Sequence, residues 1–124
     1  MGSRPLVAII DDDESAREAI AALVRSLGFL VAEFADAAAF LQSDSLAQTA
    51  CLLVDMWMPG MTGLALHQHL RSAGTMVPTI IVTVHATEAG RASALDAGVC
   101  CYLPKPLEPE ALLACILKAL ANRA

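Results

Sequence analysis

Two hydrophobic periods take turns along this chain. Leu6–Ile10 is an unbroken apolar run that stops at Asp11-Asp12-Asp13-Glu14, the pattern of a buried strand that leaves its sheet through an acidic loop. From about Ser15 to Leu27 the apolar residues Ala16, Ala19, Ile20, Leu23, Val24 and Leu27 recur at spacings of three and four, which predicts an amphipathic helix closed by Gly28. Phe29–Phe34 predicts a second strand. Asp36 is a candidate N-cap for a short helix over 37–42, and the polar stretch 43–49 reads as a loop. Cys51–Asp55 predicts a third strand, followed by a loop over 56–62 and a helix over 63–72 carrying Leu64, Leu66 and Leu70. Pro78 opens a fourth strand, Thr79–Thr83. Thr87 then caps a helix that runs to Ala97 and closes at Gly98. Val99–Leu103 predicts a fifth strand. Pro104-Lys105-Pro106 makes a rigid, non-helical loop, and Pro109 sits in the first turn of a last helix over 108–121.

Strand and helix thus alternate five times, which predicts an α/β fold: a flavodoxin-like three-layer sandwich around a parallel five-stranded sheet in the order 2-1-3-4-5. The expected organisation is one domain over 6–122, an N-terminal tail over 1–5, and a chain end or start of a linker over 123–124. In such sheets functional groups gather outside the carboxyl ends of the strands, at the switch point between the first and third.

Composition narrows the function. The chain has 124 residues, 56% hydrophobic and only 4% aromatic, so the core is built from Ala, Val, Leu and Ile. No apolar run approaches the roughly 18–20 residues that span a bilayer, and no secretory signal is visible at the N-terminus; membrane association is not expected, and a cytoplasmic protein is. The net charge of −5 argues against direct nucleic-acid binding by this domain. Cys51, Cys100, Cys101 and Cys115 lack the spacing of a disulfide framework or zinc site and read as small apolar residues in a reducing compartment. His67 and His69 lie two apart on a predicted helix and do not share a face.

The chemistry lies at the predicted strand ends. The first strand supplies Asp11, Asp12 and Asp13; the third, Asp55; the fourth, Thr83; and the fifth leads to Lys105. Clustered carboxylates repel one another, and a hard divalent cation, Mg²⁺ or Mn²⁺, relieves that repulsion through oxygen ligands. A lysine and a threonine hydroxyl opposite it can contact phosphate oxygens. Such a set equips Asp55 to accept a phosphoryl group by in-line attack.

The motifs Ile9-Ile10-Asp11-Asp12-Asp13-Glu14, Val54-Asp55-Met56-Trp57-Met58-Pro59-Gly60-Met61-Thr62-Gly63, Ile80-Ile81-Val82-Thr83 and Tyr102-Leu103-Pro104-Lys105-Pro106 together resemble the receiver domain of bacterial two-component response regulators, over essentially the whole chain. The chain looks most like receivers joined to a LuxR-type helix-turn-helix output domain. The resemblance implies that Asp55 takes phosphate from a sensor histidine kinase. It implies that Asp11, Asp12, Asp55 and the backbone carbonyl of Trp57 hold Mg²⁺, and that Lys105 contacts the phosphoryl group from a loop with a cis bond before Pro106. Thr83 would follow the phosphate and Tyr102 swing inward, reshaping the face of the fourth helix, fifth strand and fifth helix. That face would mediate a homodimer on phosphorylation or control a covalently attached DNA-binding output domain outside this chain, in transcriptional regulation. Asp13 and Glu14 receive no direct role.

Three positions depart from the family's pattern. Val84 follows the threonine where Ala or Gly is common, His85 comes next, and Trp57 stands two after the acceptor where polar residues are common. All three are expected to tune access of water to the acyl phosphate. Two other readings compete. A Mg²⁺-dependent phosphohydrolase with an aspartyl-phosphate intermediate usually carries a second acid two residues after the nucleophile, and here that residue is Trp57. A degenerate receiver that only binds protein would not need Asp11, Asp12, Asp55, Thr83 and Lys105 together.

Overall fold

The computed structural model describes residues 4–121; most of the expected tail and the chain end over 123–124 lie outside it. The element order is β1 (Leu6–Ile10), α1 (Glu14–Ser26), β2 (Leu30–Phe34), α2 (Ala37–Leu41), a 3-10 helix (Asp44–Gln48), β3 (Thr49–Asp55), α3 (Gly63–Ser72), β4 (Thr79–Thr83), α4 (Glu88–Asp96), β5 (Cys101–Pro104) and α5 (Pro109–Ala121). All pairings are parallel and the sheet runs β2-β1-β3-β4-β5, the flavodoxin-like order expected from the alternation. Among the described residues no helix is long and apolar enough to cross a membrane.

Successive strand residues face opposite sides, so the sheet separates two cores. Ile10, Leu52, Val54 and Ile81 pack with Phe40, Leu66 and Tyr102 on the side of α2, α3 and α4. Val7, Ile9, Leu53, Ile80 and Val82 pack with Ile20, Val24, Leu112 and Ile116 on the side of α1 and α5. Each fully buried Leu or Ile contributes roughly 1.5–3 kcal/mol of transfer free energy. All seven residues of β3 are buried, so its last residue is delivered to the sheet edge by a strand buried along its whole length.

By more than a residue or with a change of element type, the boundaries differ from expectation at β5 and over 43–49, and at β2 by one residue for the same reason as at β5. β2 begins at Leu30 rather than Phe29, and β5 at Cys101 rather than Val99. Both differences have one cause. Gly28 and Gly98 have φ of 100° and 98°, and the next N–H returns to the preceding helix: Phe29 to the Val24 carbonyl at 3.5 Å, Val99 to that of Ala94 at 3.0 Å. These are Schellman closures, and they spend on the helix end the residues that apolarity alone assigns to a strand. The stretch expected as a loop over 43–49 forms the 3-10 helix, capped by the Ser43 hydroxyl accepting from the Ser45 N–H at 2.9 Å, and β3 reaches back to Thr49. The predicted caps Asp36 and Thr87 accept from Ala39 at 2.8 Å and Gly90 at 2.9 Å.

Candidate functional site

Four strand ends build the site. Asp11 follows β1 and is 1% exposed. Its N–H donates to the Phe34 carbonyl at 3.2 Å, and its carbonyl accepts from Arg17 Nη1 at 2.8 Å. Its carboxylate accepts from the Asp13 N–H at 2.9 Å and from Lys105 Nζ at 2.7 Å. Asp55 ends β3, is 8% exposed, and lies 3.1 Å from the same ammonium. Lys105 is held just after β5 by its own N–H, which donates to the Thr83 carbonyl at 2.9 Å; the Lys105–Pro106 bond is cis, as expected. The exposed Asp12 supplies a third carboxylate, and one oxygen from each of Asp11, Asp12 and Asp55 falls within 4.8 Å of the others.

The chemistry of this donor set fits a small hard cation. Three anionic oxygens, one of them open to water, suit an ion that keeps part of its hydration shell. Lys105 pairs with two of the three, its single positive charge offsetting one of their negative charges. Burial, then repulsion from Asp11 and Asp12, push the Asp55 carboxyl above its ordinary value, against the hydrogen bond and charge of Lys105. Burial pulls the Lys105 ammonium down, but its hydrogen bonds and charge pairing with Asp11 and Asp55 outweigh that, so its pKa is raised.

Thr83 is fully buried, and its hydroxyl is, among the described residues, the buried side-chain oxygen or nitrogen without a hydrogen-bond partner. An unsatisfied buried hydroxyl costs about 1–3 kcal/mol. Tyr102, expected to move inward on phosphorylation, is already inside this structure at 9% exposure. Its hydroxyl fits against α4 because position 90 is glycine: a Cβ there would stand 2.5 Å from the Tyr102 hydroxyl.

The remaining predicted residues lie around the rim. Trp57 and Val84 are each 63% exposed, and His85 is exposed. Val84, Lys105, Pro106 and Leu107 line one side of an apolar groove whose other side is Ala16, Ala19, Ile20 and Leu23 of α1. Asp13, given no role from sequence, is the N-cap of α1, accepting from Ser15 at 3.0 Å and Ala16 at 3.3 Å. His67 is buried between Thr79 and Ala97, its Nδ1 2.9 Å from the Thr79 hydroxyl and its Nε2 3.2 Å from the Ala97 carbonyl, while His69 is exposed. The two histidines are therefore not a metal pair. The four cysteines are free.

Sequence reasoning did not single out Arg17, Glu33, Gly63 or Gly90. Gly63 had a readable signal, a glycine opening a helix directly after the acceptor loop. A Cβ at Gly63 would stand 2.7 Å from the Asp55 carbonyl oxygen, so glycine lets α3 start against the end of β3.

Comparison with known proteins agrees with this geometry. The family described as "Response regulator receiver domain" matches residues 7–117. The chain is 35% identical over 115 residues to the response regulator protein TodT of Pseudomonas putida, covering 93% of this chain and 51% of that protein. It is 33% identical over 118 residues to the transcriptional regulatory protein FixJ of Azorhizobium caulinodans, covering 95% and 56% respectively. The chain thus spans about half the length of these curated relatives. Among solved structures, the crystal structure of FixJ-N superposes with a TM-score of 0.87 at 28% identity, covering 100% of this chain and 98% of that one. Response regulator StyR superposes at 0.85 with 39% identity, over 96% of this chain and 60% of the other.

Proposed function

The chain belongs to the response regulator receiver domain family, and from that premise we propose that Asp55 is phosphorylated by a sensor histidine kinase and that this switches the face made by α4, β5 and α5. The observation that carries the reading is the meeting of Asp11, Asp12, Asp55 and Lys105 beside an unpartnered Thr83 hydroxyl. Asp11, Asp12, Asp55 and the Trp57 carbonyl would hold Mg²⁺ or Mn²⁺. When bound, that ion supplies charge neutralisation for the transferring phosphoryl group.

The chain's own residues do the rest. A carboxylate oxygen of Asp55 attacks phosphorus in line with the P–N bond of a phosphohistidine, whose electron pair returns to the imidazole nitrogen. Lys105 is placed to share its ammonium between Asp55 and the incoming oxygens. The Thr83 hydroxyl gains an acceptor when a phosphoryl oxygen arrives, which removes the penalty of its burial. Tyr102, seated against Gly90, couples that movement to α4. The receiver is proposed to occupy 6–122 of a cytoplasmic protein. Homodimerisation through the α4–β5–α5 face, or an attached DNA-binding output domain, would carry the signal to transcription; the relative FixJ, named as a transcriptional regulatory protein and covered over 56% of its length, supports that.

Trp57, Val84 and His85 are proposed to set the lifetime of the acyl phosphate by shaping how water reaches it. An unchanged dephosphorylation rate in Trp57→Asn would sink that part alone. The central test is incubation with acetyl phosphate and Mg²⁺, read by intact mass. One phosphate adduct, lost in Asp55→Asn and without Mg²⁺, is the expected result. No adduct on the parent chain points to a protein-binding module, and steady turnover of a phosphoester to an enzyme.

A further inference from the structure

The acidic pair is held by a residue outside it. Arg17 lies in the first turn of α1 with its side chain 16% exposed. It makes no ion pair with the four acids that begin beside it. Its Nη1 donates instead to the main-chain carbonyl of Asp11 at 2.8 Å, while its Nε lies 3.6 Å from Glu33 of β2. Glu33 in turn accepts from Arg25 of the same helix at 3.4 Å. Two arginines on one face of α1 thus clamp one carboxylate on the neighbouring strand.

The Asp11 carbonyl belongs to the peptide unit that joins Asp11 to Asp12, and the orientation of that peptide fixes where Asp12 points. Asp11 needs little further help, since its N–H and both carboxylate oxygens are engaged. Asp12 is exposed and gains its direction from the chain on either side. On the far side stands Asp13, locked as the cap of α1. On the near side stands the carbonyl gripped by Arg17.

We infer that Arg17, braced by Glu33, is a positioning residue that sets the angle between Asp11 and Asp12 and so the affinity of the acidic site for divalent cations. This rests on the metal reading above. Partners that orient metal ligands are commonly worth about 10–100-fold in affinity, and Arg17 acts on one ligand through a main-chain bond, which places it near ~10-fold. The sign separates positioning from charge: deleting a nearby cation would by itself tighten cation binding, whereas loss of positioning weakens it.

The test is Mg²⁺ titration of the full chain, followed by the fluorescence of Trp57, its one tryptophan, and by calorimetry. Arg17→Met is expected to raise the Mg²⁺ dissociation constant ~10-fold with the far-UV spectrum unchanged. Arg17→Lys keeps the charge but cannot reach the carbonyl and Glu33 together, so it should also weaken binding; it serves as the test if the methionine variant fails to fold. Affinity equal to or tighter than the parent's in the folded variants overturns the inference and leaves the metal reading standing. A parent chain that binds no Mg²⁺ overturns both.

Discussion

Replacing Lys105 with methionine removes one cation from between two buried carboxylates and keeps an apolar stem in place. The ammonium lies 2.7 Å from Asp11 and 3.1 Å from Asp55, whose residues are 1% and 8% exposed. At an effective dielectric of about 20, unit charges ~3 Å apart attract by roughly 5 kcal/mol, most of which desolvation cancels. What matters is the state left behind, since removing one partner of a buried pair costs about 3–5 kcal/mol. Lys105 retains some exposure, and Asp55 can take up a proton more readily than an ordinary carboxyl, so about 2–3 kcal/mol is the expected loss. With an unfolding entropy of about 2.1 cal/mol/K per residue, 1 kcal/mol corresponds to ~4 °C in a chain of 124 residues. Thermal melts in EDTA should therefore fall by ~8–12 °C. Saturating Mg²⁺ should recover more stability in Lys105→Met than in the parent, because no ammonium then competes for the carboxylates. Equal melting temperatures in EDTA, or equal stabilisation of both chains by Mg²⁺, would refute this account of the site.

Three other perturbations probe the same neighbourhood. Asp55→Asn should raise stability in metal-free buffer: the folded carboxyl pKa lies above its ordinary 3.8, so ionising it opposes folding. The gain should be absent below pH 3.8, grow as pH rises through the folded pKa, and then level off, as read by urea midpoints across pH. Thr83→Val replaces an unsatisfied buried hydroxyl with a methyl group, so stability should hold or rise by ~1 kcal/mol while any phosphorylation-linked shift in Tyr102 fluorescence or oligomeric state is lost. Gly63→Ala forces a Cβ to 2.7 Å from the Asp55 carbonyl and 3.2 Å from Val54 Cγ1; the urea midpoint should drop by the equivalent of ~2 kcal/mol, with slower phosphorylation.

The strands and their carboxyl ends were legible because each strand announces itself by an apolar run and each functional residue ends or shortly follows one. Asp11, Asp55, Thr83 and Lys105 could be assembled from topology alone. The supports could not. Arg17 reads as an ordinary charged residue of an amphipathic helix, and Glu33 as the polar break in a strand; nothing in their spacing says that both serve the peptide after Asp11. Strand starts were misplaced at Phe29 and Val99 because apolarity does not distinguish a strand's first residue from one closing a Schellman turn. The 3-10 helix over Asp44–Gln48 was hidden because its residues have neither period. The inward seat of Tyr102 depends on what Gly90 lacks, a feature visible only when the two elements are brought together.

How firmly each neighbouring element is held indicates where charge at Asp55 can be felt. α3 is pinned at its start by the close approach of Gly63 to the Asp55 carbonyl, and along its length by the buried Leu66 and Leu70. His67 from mid-helix and Arg71 from its last turn both reach the Ala97 carbonyl, Arg71 at 2.6 Å. That clamp also fixes the C-terminal end of α4, whose one fully buried side chain, Ala94, lies close by. At the opposite end of α4, residues 84–89 are exposed, and the Thr87 cap and the Tyr102 hydroxyl in the notch at Gly90 hold it. Regions with few buried contacts open at the lowest free energy. The N-terminal end of α4, which follows Thr83 after a short exposed loop, therefore has the least to lose by moving, while the clamp at Ala97 supplies the pivot. A hydroxyl drawn toward Asp55 would act on that end first, and this asymmetry supports α4, rather than the tightly held α3, as the element through which the proposed switch is read.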